Sequence, residues 1–444
     1  MSKSLCLILL VMASAAGAQS PALSADVQSR IAAIEPKVVA WRRDIHQHPE
    51  LGNREFRTSK LVADHLRALG IAVQTGVAHT GVVGILKGGK PGPVVLLRAD
   101  MDGLPVTERV NIPFASKVKS TYNGQEVGVM HACGHDTHVA ILMGVAEILA
   151  GMRNDLPGTV KFMFQPAEEG PPAGEDGGAE LMVKQGILTN PAVDVAFALH
   201  IDATREVNRI FYTPGGMAAS SDDFRVLVKG KQTHGAAPWN GVDPIVTSAH
   251  IITALQTIVS RNMEITQNPA VVTVGKIQGG VRNNIIPEQV ELIGTIRALH
   301  PDDRRKLHER VRRIVTNVAE SMGATVEIEI GGNTAYPVTF NNEALTMAML
   351  PALRAVAGVD KVHLVKPETG AEDFSFVAEK VPGFYISLGG RPANVPQAQA
   401  ADHHTPDFYV DDSGLDVGVR ALTAMTLYYM KTNPRGGIPA ATSR

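Results

Sequence analysis

Apolar residues follow two different spacings along this chain. Short runs dominated by Val, Ile, Leu, Ala and Phe alternate with longer segments in which apolar residues recur every three or four positions. The short runs are typical of buried parallel strands, and the longer segments are typical of amphipathic helices. The alternation predicts an α/β fold, a sheet flanked by helices. We predict four runs as strands of one sheet: residues 94–97, 160–164, 193–199 and 384–388.

Polar side chains follow three of these predicted strands. The first run leads into Asp100 and Asp102, the second into Glu168 and Glu169, and the third directly into His200. Ligands of open α/β sheets bind outside the carboxyl ends of the strands. The sequence therefore predicts that these five side chains belong to one site.

The middle of the chain has a different order of elements. It is predicted to contain, in sequence, strand 223–229, helix 244–261, strand 271–277, strand 289–299, helix 302–322 and strand 325–330. This βαββαβ order is that of a ferredoxin-like α+β unit. Glycine pairs flank it, Gly215-Gly216 before and Gly331-Gly332 after, and give the backbone freedom at both junctions. We predict an inserted lid, and leave open whether it moves.

The two ends of the chain are expected to lie outside the fold. Lys3 precedes an apolar run and then small residues that end at Ala18, the layout of a secretory signal peptide. The run is too short to cross a bilayer, which needs roughly 18 apolar residues. We expect cleavage after Ala18, an exported protein that is periplasmic or secreted, and no membrane contact afterwards. The predicted division is signal peptide 1–18, catalytic domain 19–214 and 333–432, lid 215–332 and disordered tail 433–444.

Composition narrows the possible partners. With 42 Lys and Arg against 44 Asp and Glu, the formal net charge is -2, which argues against nucleic acid as a partner. A basic stretch at residues 304–313 is broken by apolar residues at helical spacing and is interpreted as a solvated helix face. The chain has two cysteines, and Cys6 lies in the predicted signal peptide. Cys133 is then left without a disulfide partner and is either buried and inert or a metal ligand.

The residues around Cys133 favour the metal ligand. The segment 131–138, HACGHDTH, places a thiol, imidazoles and a carboxylate just before a helix-forming stretch. Cys133 and His135 together suit a borderline divalent metal, and Gly134 permits the tight backbone between them. Asp136 can orient a histidine. The alternative is a helix-capping loop that contains hydrogen-bonded histidines.

The adjacent carboxylates of Glu168 and Glu169 are a second candidate feature. Two such groups at the end of a buried strand repel each other unless a cation or a proton relieves the repulsion. At a metal site one would bind the metal, and the other would take a proton from water. The alternative is an ordinary surface pair, which is common for glutamate.

Taken together, these segments resemble a known family. The chain is similar to the M20 metallopeptidase superfamily, in particular its amidohydrolase branch, which includes hippurate hydrolase, N-acyl-amino-acid amidohydrolases and plant auxin-conjugate hydrolases. The resemblance extends over nearly the whole mature chain and is carried, in order, by residues 48–52 (HPELG), 97–105 (LRADMDGLP), 133–136 (CGHD), 166–170 (PAEEG), 233–238 (THGAAP), 284–287 (NIIP), 294–297 (GTIR), 372–374 (EDF) and 404–406 (HTP).

The resemblance implies a zinc-exopeptidase-like catalytic domain with a mixed sheet, a dimerisation lid and a two-metal centre. Glu168 would be the general base and acid. The implied ligands of the two divalent ions, which could be Zn, Mn, Co or Ni, are Cys133, His135, Glu169, His200 and His404. His404 fits better than His403 because it directly precedes Thr-Pro. The chain departs from the superfamily's usual His-x-Asp motif at Asp100-Met101-Asp102, and we expect these two aspartates to touch ligand side chains rather than the metals.

The resemblance also implies roles for lid residues. His234 resembles a histidine that stabilises the tetrahedral oxyanion, often across a dimer interface. Asn284 and Arg297 resemble the groups that hold the substrate carboxylate, a task that suits a guanidinium because it can donate two parallel hydrogen bonds. The alternatives are a turn histidine at His234 and a structural ion pair at Arg297.

The expected activity is hydrolysis of the amide bond of N-acyl amino acids or similar small carboxylate-bearing substrates. Two other interpretations stay open at this point. One is an amidase with Cys133 as nucleophile, and the other is an exported binding module without catalysis. The sequence does not identify the acyl group, the amino acid or the metal.

Overall fold

The computed structural model describes residues 21–438 of the 444-residue chain. The predicted signal peptide lies outside that range, as do residues 439–444 of the predicted tail. Among the described residues, no helix combines the length and the apolar character needed to cross a membrane.

Helices and strands alternate through most of this range. The helices are α1 (Ala25–Gln47), α2 (Phe56–Ala68), α3 (His135–Ala150), α4 (Gly178–Lys184), α5 (Pro244–Thr257), α6 (Pro301–Ser321), α7 (Glu343–Ala357), α8 (Ser375–Ala378) and α9 (Leu415–Thr432). The strands are β1 (Ala72–Val77), β2 (Gly81–Lys87), β3 (Lys90–Asp100), β4 (Lys119–Tyr122), β5 (Gln125–Gly128), β6 (Pro157–Gln165), β7 (Val195–Glu206), β8 (Ile210–Tyr212), β9 (Gly215–Ala218), β10 (Ser221–Lys229), β11 (Thr233–His234), β12 (Ala270–Gly279), β13 (Ile285–Ile286), β14 (Gln289–Ala298), β15 (Thr325–Tyr336), β16 (Thr339–Asn341), β17 (Val362–Leu364) and β18 (Gly383–Arg391).

The largest sheet has eight strands in the order β1-β2-β6-β3-β7-β18-β8-β17. Its central strands β6, β3, β7 and β18 are parallel. Strands β1 and β2 pair antiparallel with their neighbours, and β8 is antiparallel to β18 but parallel to β17. The four strands predicted from apolar runs lie in this parallel centre, and only the third starts later than predicted, at Val195. The prediction of a mixed sheet flanked by helices is confirmed.

Helices cover both faces of the large sheet. One face carries α1, α2, α3, α7 and α9, and the other carries α4 and α8. Nearly every residue of α3 is buried, because its sequence is apolar on all sides and it lies between the sheet, α1 and α9. This central helix begins at His135, so its first turn places part of the predicted metal motif beside the sheet.

The middle of the chain forms a four-stranded antiparallel sheet with the order β12-β14-β10-β15. Helices α5 and α6 pack on one face of it and enclose a separate apolar core. Asp243 and His300 cap the starts of these helices, and Pro244 and Pro301 occupy the first turn, where proline is favoured. This is the βαββαβ topology predicted for the lid. The bounds predicted for the lid and for the two catalytic parts stay predictions.

The end predicted for the last strand of the lid is wrong. The sequence suggested that the last strand of the lid ends before Gly331-Gly332, but β15 continues to Tyr336. The two glycines have φ values of +109° and +63°, and the pairing with β10 shifts register there, so they bend the strand instead of ending it. Beyond the bend, the Tyr336 hydroxyl donates a hydrogen bond of 2.8 Å to the carbonyl oxygen of Glu168.

Candidate metal centre

The loop that carries Cys133 lies against β7. Gly134, the residue before α3, has a φ of +93°, a left-handed conformation that glycine adopts without steric cost. A Cβ atom at this position would lie 2.3 Å from Ile201 Cγ2. Glycine therefore allows the close approach that places Cys133 Sγ 3.3 Å from His200 Nε2.

A strained turn presents Glu168 and Glu169 at the end of β6. Ala167 has a φ of +48°, which is unfavourable for a residue with a side chain. Its N–H donates a 2.9 Å hydrogen bond to Oε1 of Glu55, a fully buried carboxyl whose Oε2 accepts from the Thr80 hydroxyl at 2.5 Å. Sequence analysis missed Glu55. The spacing of Glu55 from the HPELG segment gave no sign of its contact with this turn.

The structure brings the predicted ligands and Glu168 together. Their ligand atoms form three groups, and the atoms of each group lie within 4.8 Å of one another: Cys133, His135 and His200; Cys133, Glu169 and His404; and His135, Glu168 and Glu169. The first two groups share Cys133. Side chains from α3, β7, the turn after β6 and the loop before α9 therefore meet at one place.

Hydrogen bonds fix which ring nitrogen is free in His135 and His200. Nδ1 of His135 lies 2.9 Å from the carbonyl oxygen of Asp102, and Nδ1 of His200 lies 2.6 Å from that of Ile201. A carbonyl oxygen only accepts, so Nδ1 carries a proton in both rings and Nε2 is the nitrogen left to bind a cation. Nε2 of His200 faces Cys133, and Nε2 of His135 is buried without a hydrogen-bond partner. Both nitrogens are available to a cation.

His138 and His403 have the opposite arrangement. Nε2 of His138 accepts the N–H of Ile201 at 2.8 Å, and Nε2 of His403 accepts the N–H of Ala203 at 3.1 Å. Burial lowers the pKa of His138 to about 4 and that of His403 to about 3, so both rings are neutral. The single proton of each ring then lies on Nδ1, which in His138 faces Asp100 Oδ1 at 2.5 Å. Neither Nδ1 has a lone pair to offer a cation.

His404 lies at the edge of the cluster. Its Nε2 is 2.9 Å from Glu169 Oε1, and its side chain is 53% exposed. The backbone N–H of His404 donates to the carbonyl oxygen of Ala132 at 2.9 Å, which ties this loop to the Cys133 loop. Nε2 of His404 thus faces the predicted ligand Glu169, whereas Nε2 of His403 accepts a backbone N–H, and the choice of His404 as ligand stays a prediction.

Charge in the cluster favours a bound cation. Burial lowers the pKa of His135, but the carboxylates of Asp100 and Asp102 outweigh it and raise this pKa to about 10. Burial, together with Glu372 and Glu169, raises the pKa of Glu168 well above its usual range. Protons on His135 and Glu168 offset the negative charge of the surrounding carboxylates. Bound divalent cations would offset the same charge.

The donor atoms fit divalent cations. One buried polar atom of the cluster, His135 Nε2, makes no hydrogen bond. Burial and the nearby Glu169 and Glu168 raise the pKa of Cys133 well above its usual range, so the thiol becomes a thiolate only when a cation binds it. Sulfur, imidazole and carboxylate donors together suit Zn, Mn, Co or Ni.

Asp100 and Asp102 touch the ligand side chains, as expected. Asp102 Oδ1 lies 3.2 Å from His135 Nδ1, and its Oδ2 accepts the N–H of Glu169 at 3.0 Å. Asp100 Oδ2 lies 3.8 Å from His135 Nε2 and 2.6 Å from Arg98 Nη1. Each aspartate therefore orients a group of the candidate centre.

Behind the cluster lies a buried ion network that sequence analysis missed. Arg98 is fully buried and pairs with Asp100 at 2.6 Å and with Glu372 and Asp373 at 2.8 Å each. The N–H of Asp373 donates to Oε1 of Glu168 at 3.3 Å. A signal was present, because an arginine in an apolar strand requires buried acidic partners.

The lid residues lie elsewhere in the described chain. β11 and β13 place His234 beside Asn284, whose carbonyl oxygen accepts the N–H of Gly235 at 2.8 Å. Both side chains are exposed. Arg297 lies in β14 opposite Val271, and its Nη1 is buried without a hydrogen-bond partner. The three residues do not line the cavity at the cluster, and their predicted roles stay predictions.

A cavity of about 1070 Å³ opens onto the cluster. The centre contributes Cys133, Glu168, His200 and His404 to its lining, and residues such as Phe211 form the more distant wall. A cleft of this volume holds a small molecule.

Fold and site together define a metal-binding hydrolase. The model of the family described as Peptidase family M20/M25/M40 matches residues 96–428, about three quarters of the chain. The chain therefore belongs to the M20/M25/M40 peptidase family.

Sequence similarity to individual relatives extends over most of each chain. The chain is 40% identical to thermostable carboxypeptidase 2 of Saccharolobus solfataricus over 397 residues, covering 89% of this chain and 96% of the relative. It is 34% identical to N-acetylcysteine deacetylase of Bacillus subtilis over 401 residues, covering 90% and 98%. The solved structure of the Bacillus subtilis YXEP protein, described as a dinuclear metal binding peptidase from the M20 family, superposes with a TM-score of 0.73 at 32% identity, covering 90% and 99%.

Proposed function

We propose that this protein hydrolyses the amide bond of N-acyl amino acids or of similar small amides that carry a carboxylate. The observation that carries the proposal is the meeting of Cys133, His135, Glu169, His200 and His404 around a buried Glu168, with Nδ1 of His135 and of His200 held by carbonyl oxygens so that Nε2 is left for a cation. The names of two relatives, a carboxypeptidase and an N-acetylcysteine deacetylase, support amides of this size as substrates.

The proposed centre holds two divalent cations in each subunit. Two groups of three ligand atoms share Cys133, and the YXEP protein is described as dinuclear. When bound, such cations lower the pKa of water to about 7 and polarise a carbonyl group.

Glu168 is the proposed proton carrier. Its carboxyl takes a proton from the attacking water and returns it to the nitrogen of the leaving amine. Asp373 N–H holds Oε1 at 3.3 Å, and Oε2 lies 3.9 Å from His135 Nε2 on the side of the candidate ligands. Tyr336 fixes the Glu168 carbonyl, so the backbone and one carboxyl oxygen are both held.

The lid residues complete the proposed site. Arg297 and Asn284 hold the substrate carboxylate, and His234 stabilises the oxyanion. The buried, unpaired Nη1 of Arg297 supports an anionic ligand there. Since His234 is exposed and does not line the cavity of its own chain, we propose that it serves the site of a second copy.

The surface of the lid supports a homodimer. β12 is an edge strand of the four-stranded sheet, and an unpaired edge can pair with another strand. Apolar side chains are exposed on the lid, among them Val281 at 93%, Trp239 at 78% and Ile277 at 53%. Exposed apolar groups of this kind mark protein interfaces. Export to the periplasm or the medium, expected from residues 1–18, is also part of the proposal.

Two other functions are less well supported. A nucleophilic cysteine needs a lowered thiol pKa, and here burial and Glu169 raise the pKa of Cys133. A binding module without catalysis has no need for the proton carrier Glu168 beside the ligand Glu169.

The test compares two isosteric variants of neighbouring residues. Metal-reconstituted protein is given a panel of N-acyl amino acids and dipeptides, and free amine is measured. We expect Glu168→Gln to lose about 10²- to 10⁴-fold in kcat while it keeps its metal, and Glu169→Gln to lose metal as well. Metal content is measured by elemental analysis.

Chelation separates the alternatives. Removal of the metal should abolish turnover, and its return should restore it. Turnover that survives chelation would support the cysteine nucleophile, and metal binding without turnover on any member of the panel would support the binding module.

A further inference from the structure

His403 is a histidine of this cluster that the proposed chemistry does not use. Its Nδ1 lies 3.5 Å from Cys133 Sγ, a hydrogen-bond distance for sulfur. The ring packs between Phe408 and His200, with centroid distances of 5.0 Å and 5.4 Å. Its position is therefore fixed from several sides.

The backbone of β7 determines the tautomer of this ring. The N–H of Ala203 donates to His403 Nε2 at 3.1 Å, so Nε2 is the unprotonated nitrogen. The ring proton must then lie on Nδ1, the atom that faces Cys133. An N–H group in that position can donate a hydrogen bond but cannot bind a cation.

We infer that His403 is a positioning residue that donates an Nδ1–H hydrogen bond to the Cys133 thiolate in the metal-loaded protein. This inference rests on the proposed metal centre. Cys133 belongs to two of the three groups, one with His135 and His200 and one with Glu169 and His404, so its sulfur is a donor that these two groups share. A hydrogen bond to a thiolate withdraws electron density from sulfur, weakens its donation to the metal and lowers its nucleophilicity.

The hydrogen bond from His403 to the Cys133 thiolate has two chemical consequences. A less electron-rich sulfur leaves more positive charge on the cations, which strengthens their effect on a bound carbonyl. It also makes the thiolate less reactive toward alkylating and oxidising agents.

The test uses cobalt(II) as the probe metal, because sulfur bound to cobalt(II) gives a charge-transfer band in the near ultraviolet. Two variants form a matched pair. His403→Leu removes the donor, whereas His403→Asn keeps an N–H donor near the position of Nδ1. Both variants remove the acceptor of the Ala203 N–H, so the difference between them isolates the contact with sulfur. Cys133→Ser, which should lack the band, assigns it to Cys133.

We expect the band of His403→Leu to move to longer wavelength, since a thiolate without the hydrogen bond gives up charge to the metal more easily. The band of His403→Asn should stay close to that of the wild type. Alkylation of Cys133 by iodoacetamide in the cobalt-loaded protein should be faster in the leucine variant than in the asparagine variant.

Three outcomes would overturn the inference. A band that does not move in His403→Leu excludes the hydrogen bond while leaving the metal centre intact. Loss of one bound cobalt ion in both variants would make His403 a ligand itself. A wild-type protein that binds cobalt without any sulfur band would overturn the ligand role of Cys133, and with it the proposed centre.

Discussion

Backbone groups of β7 select the protonation pattern of three histidines around the site. The carbonyl oxygen of Ile201 accepts from His200, the N–H of Ile201 donates to His138, and the N–H of Ala203 donates to His403. The backbone of β7 thus leaves Nε2 of His200 without a backbone partner, and it donates a hydrogen bond to Nε2 of His138 and to Nε2 of His403. At the scale of the residue, the hydrogen-bond partner decides which imidazole can be a ligand.

A buried carboxyl, that of Glu55, holds the turn that carries Glu168. Glu55 accepts the N–H of the strained Ala167, and burial together with nearby Asp102 raises the pKa of Glu55 from its ordinary 4.5 to about 8. The native state therefore binds a proton at Glu55 more tightly than the unfolded state does. The stabilising contribution of this group is complete below pH 4.5 and is lost as the pH rises through about 8.

The first prediction concerns the pH dependence of stability in the metal-free protein. The free energy of unfolding of the wild type should fall relative to that of Glu55→Gln between pH 5 and pH 8, by up to about 1.4 kcal/mol per pH unit. Glutamine keeps an acceptor for Ala167 but does not titrate. Denaturant unfolding at several pH values measures the difference, and parallel curves for the two proteins would contradict the prediction.

At the scale of the element, the start of α3 depends on one glycine. The left-handed backbone at Gly134 joins the Cys133 loop to the helix, and Ile201 leaves no room for a side chain there. Gly124 provides a natural comparison, because its φ is +77° but an added Cβ would meet nothing within 4 Å.

The second prediction uses this pair. Gly134→Ala should lose metal binding and activity, since either Ile201 or the Cys133 loop must shift. Gly124→Ala has only the backbone strain and should cost about 1 kcal/mol of stability with metal content unchanged. Metal analysis and thermal unfolding of both variants check this prediction. Normal metal binding by Gly134→Ala would show that the Cys133 loop tolerates an added side chain.

The sequence predicted some of these elements correctly and missed features of others. Continuous apolar runs located the four parallel strands, because burial on both faces leaves a strong pattern. The course of β15 past Gly331 was missed, since a glycine pair that bends a strand cannot be distinguished by composition from one that ends it. The contact of Glu55 with Ala167 was missed because it joins residues that are distant in sequence. The predicted strand ends brought Glu169 and His200 into one site, whereas His404 was assigned to the ligands only through the resemblance to a family.

At the scale of the whole molecule, the proposed catalytic groups lie in two separate units. Glu168 lies just after β6 of the large sheet, whereas His234 is exposed on β11 of the lid. If His234 acts in the site of a partner, each complete site contains residues of two chains.

The third prediction tests this with two inactive variants. Homodimers of His234→Ala and of Glu168→Gln should each be nearly inactive. After equal amounts are mixed and allowed to exchange subunits, half of the dimers are mixed, and each of these has one complete site of two. About a quarter of the wild-type activity should therefore return. No recovery, despite exchange shown by native mass spectrometry, would place His234 in its own chain's site or outside catalysis.

The course of β15 has a mechanical consequence. The strand pairs with β10 in the small sheet and reaches, through Tyr336, the peptide group of Glu168. The strand is continuous between these two contacts, and its bend lies at Gly331-Gly332. If the four-stranded sheet were displaced, Tyr336 would transmit the displacement to the backbone of Glu168, the proposed proton carrier.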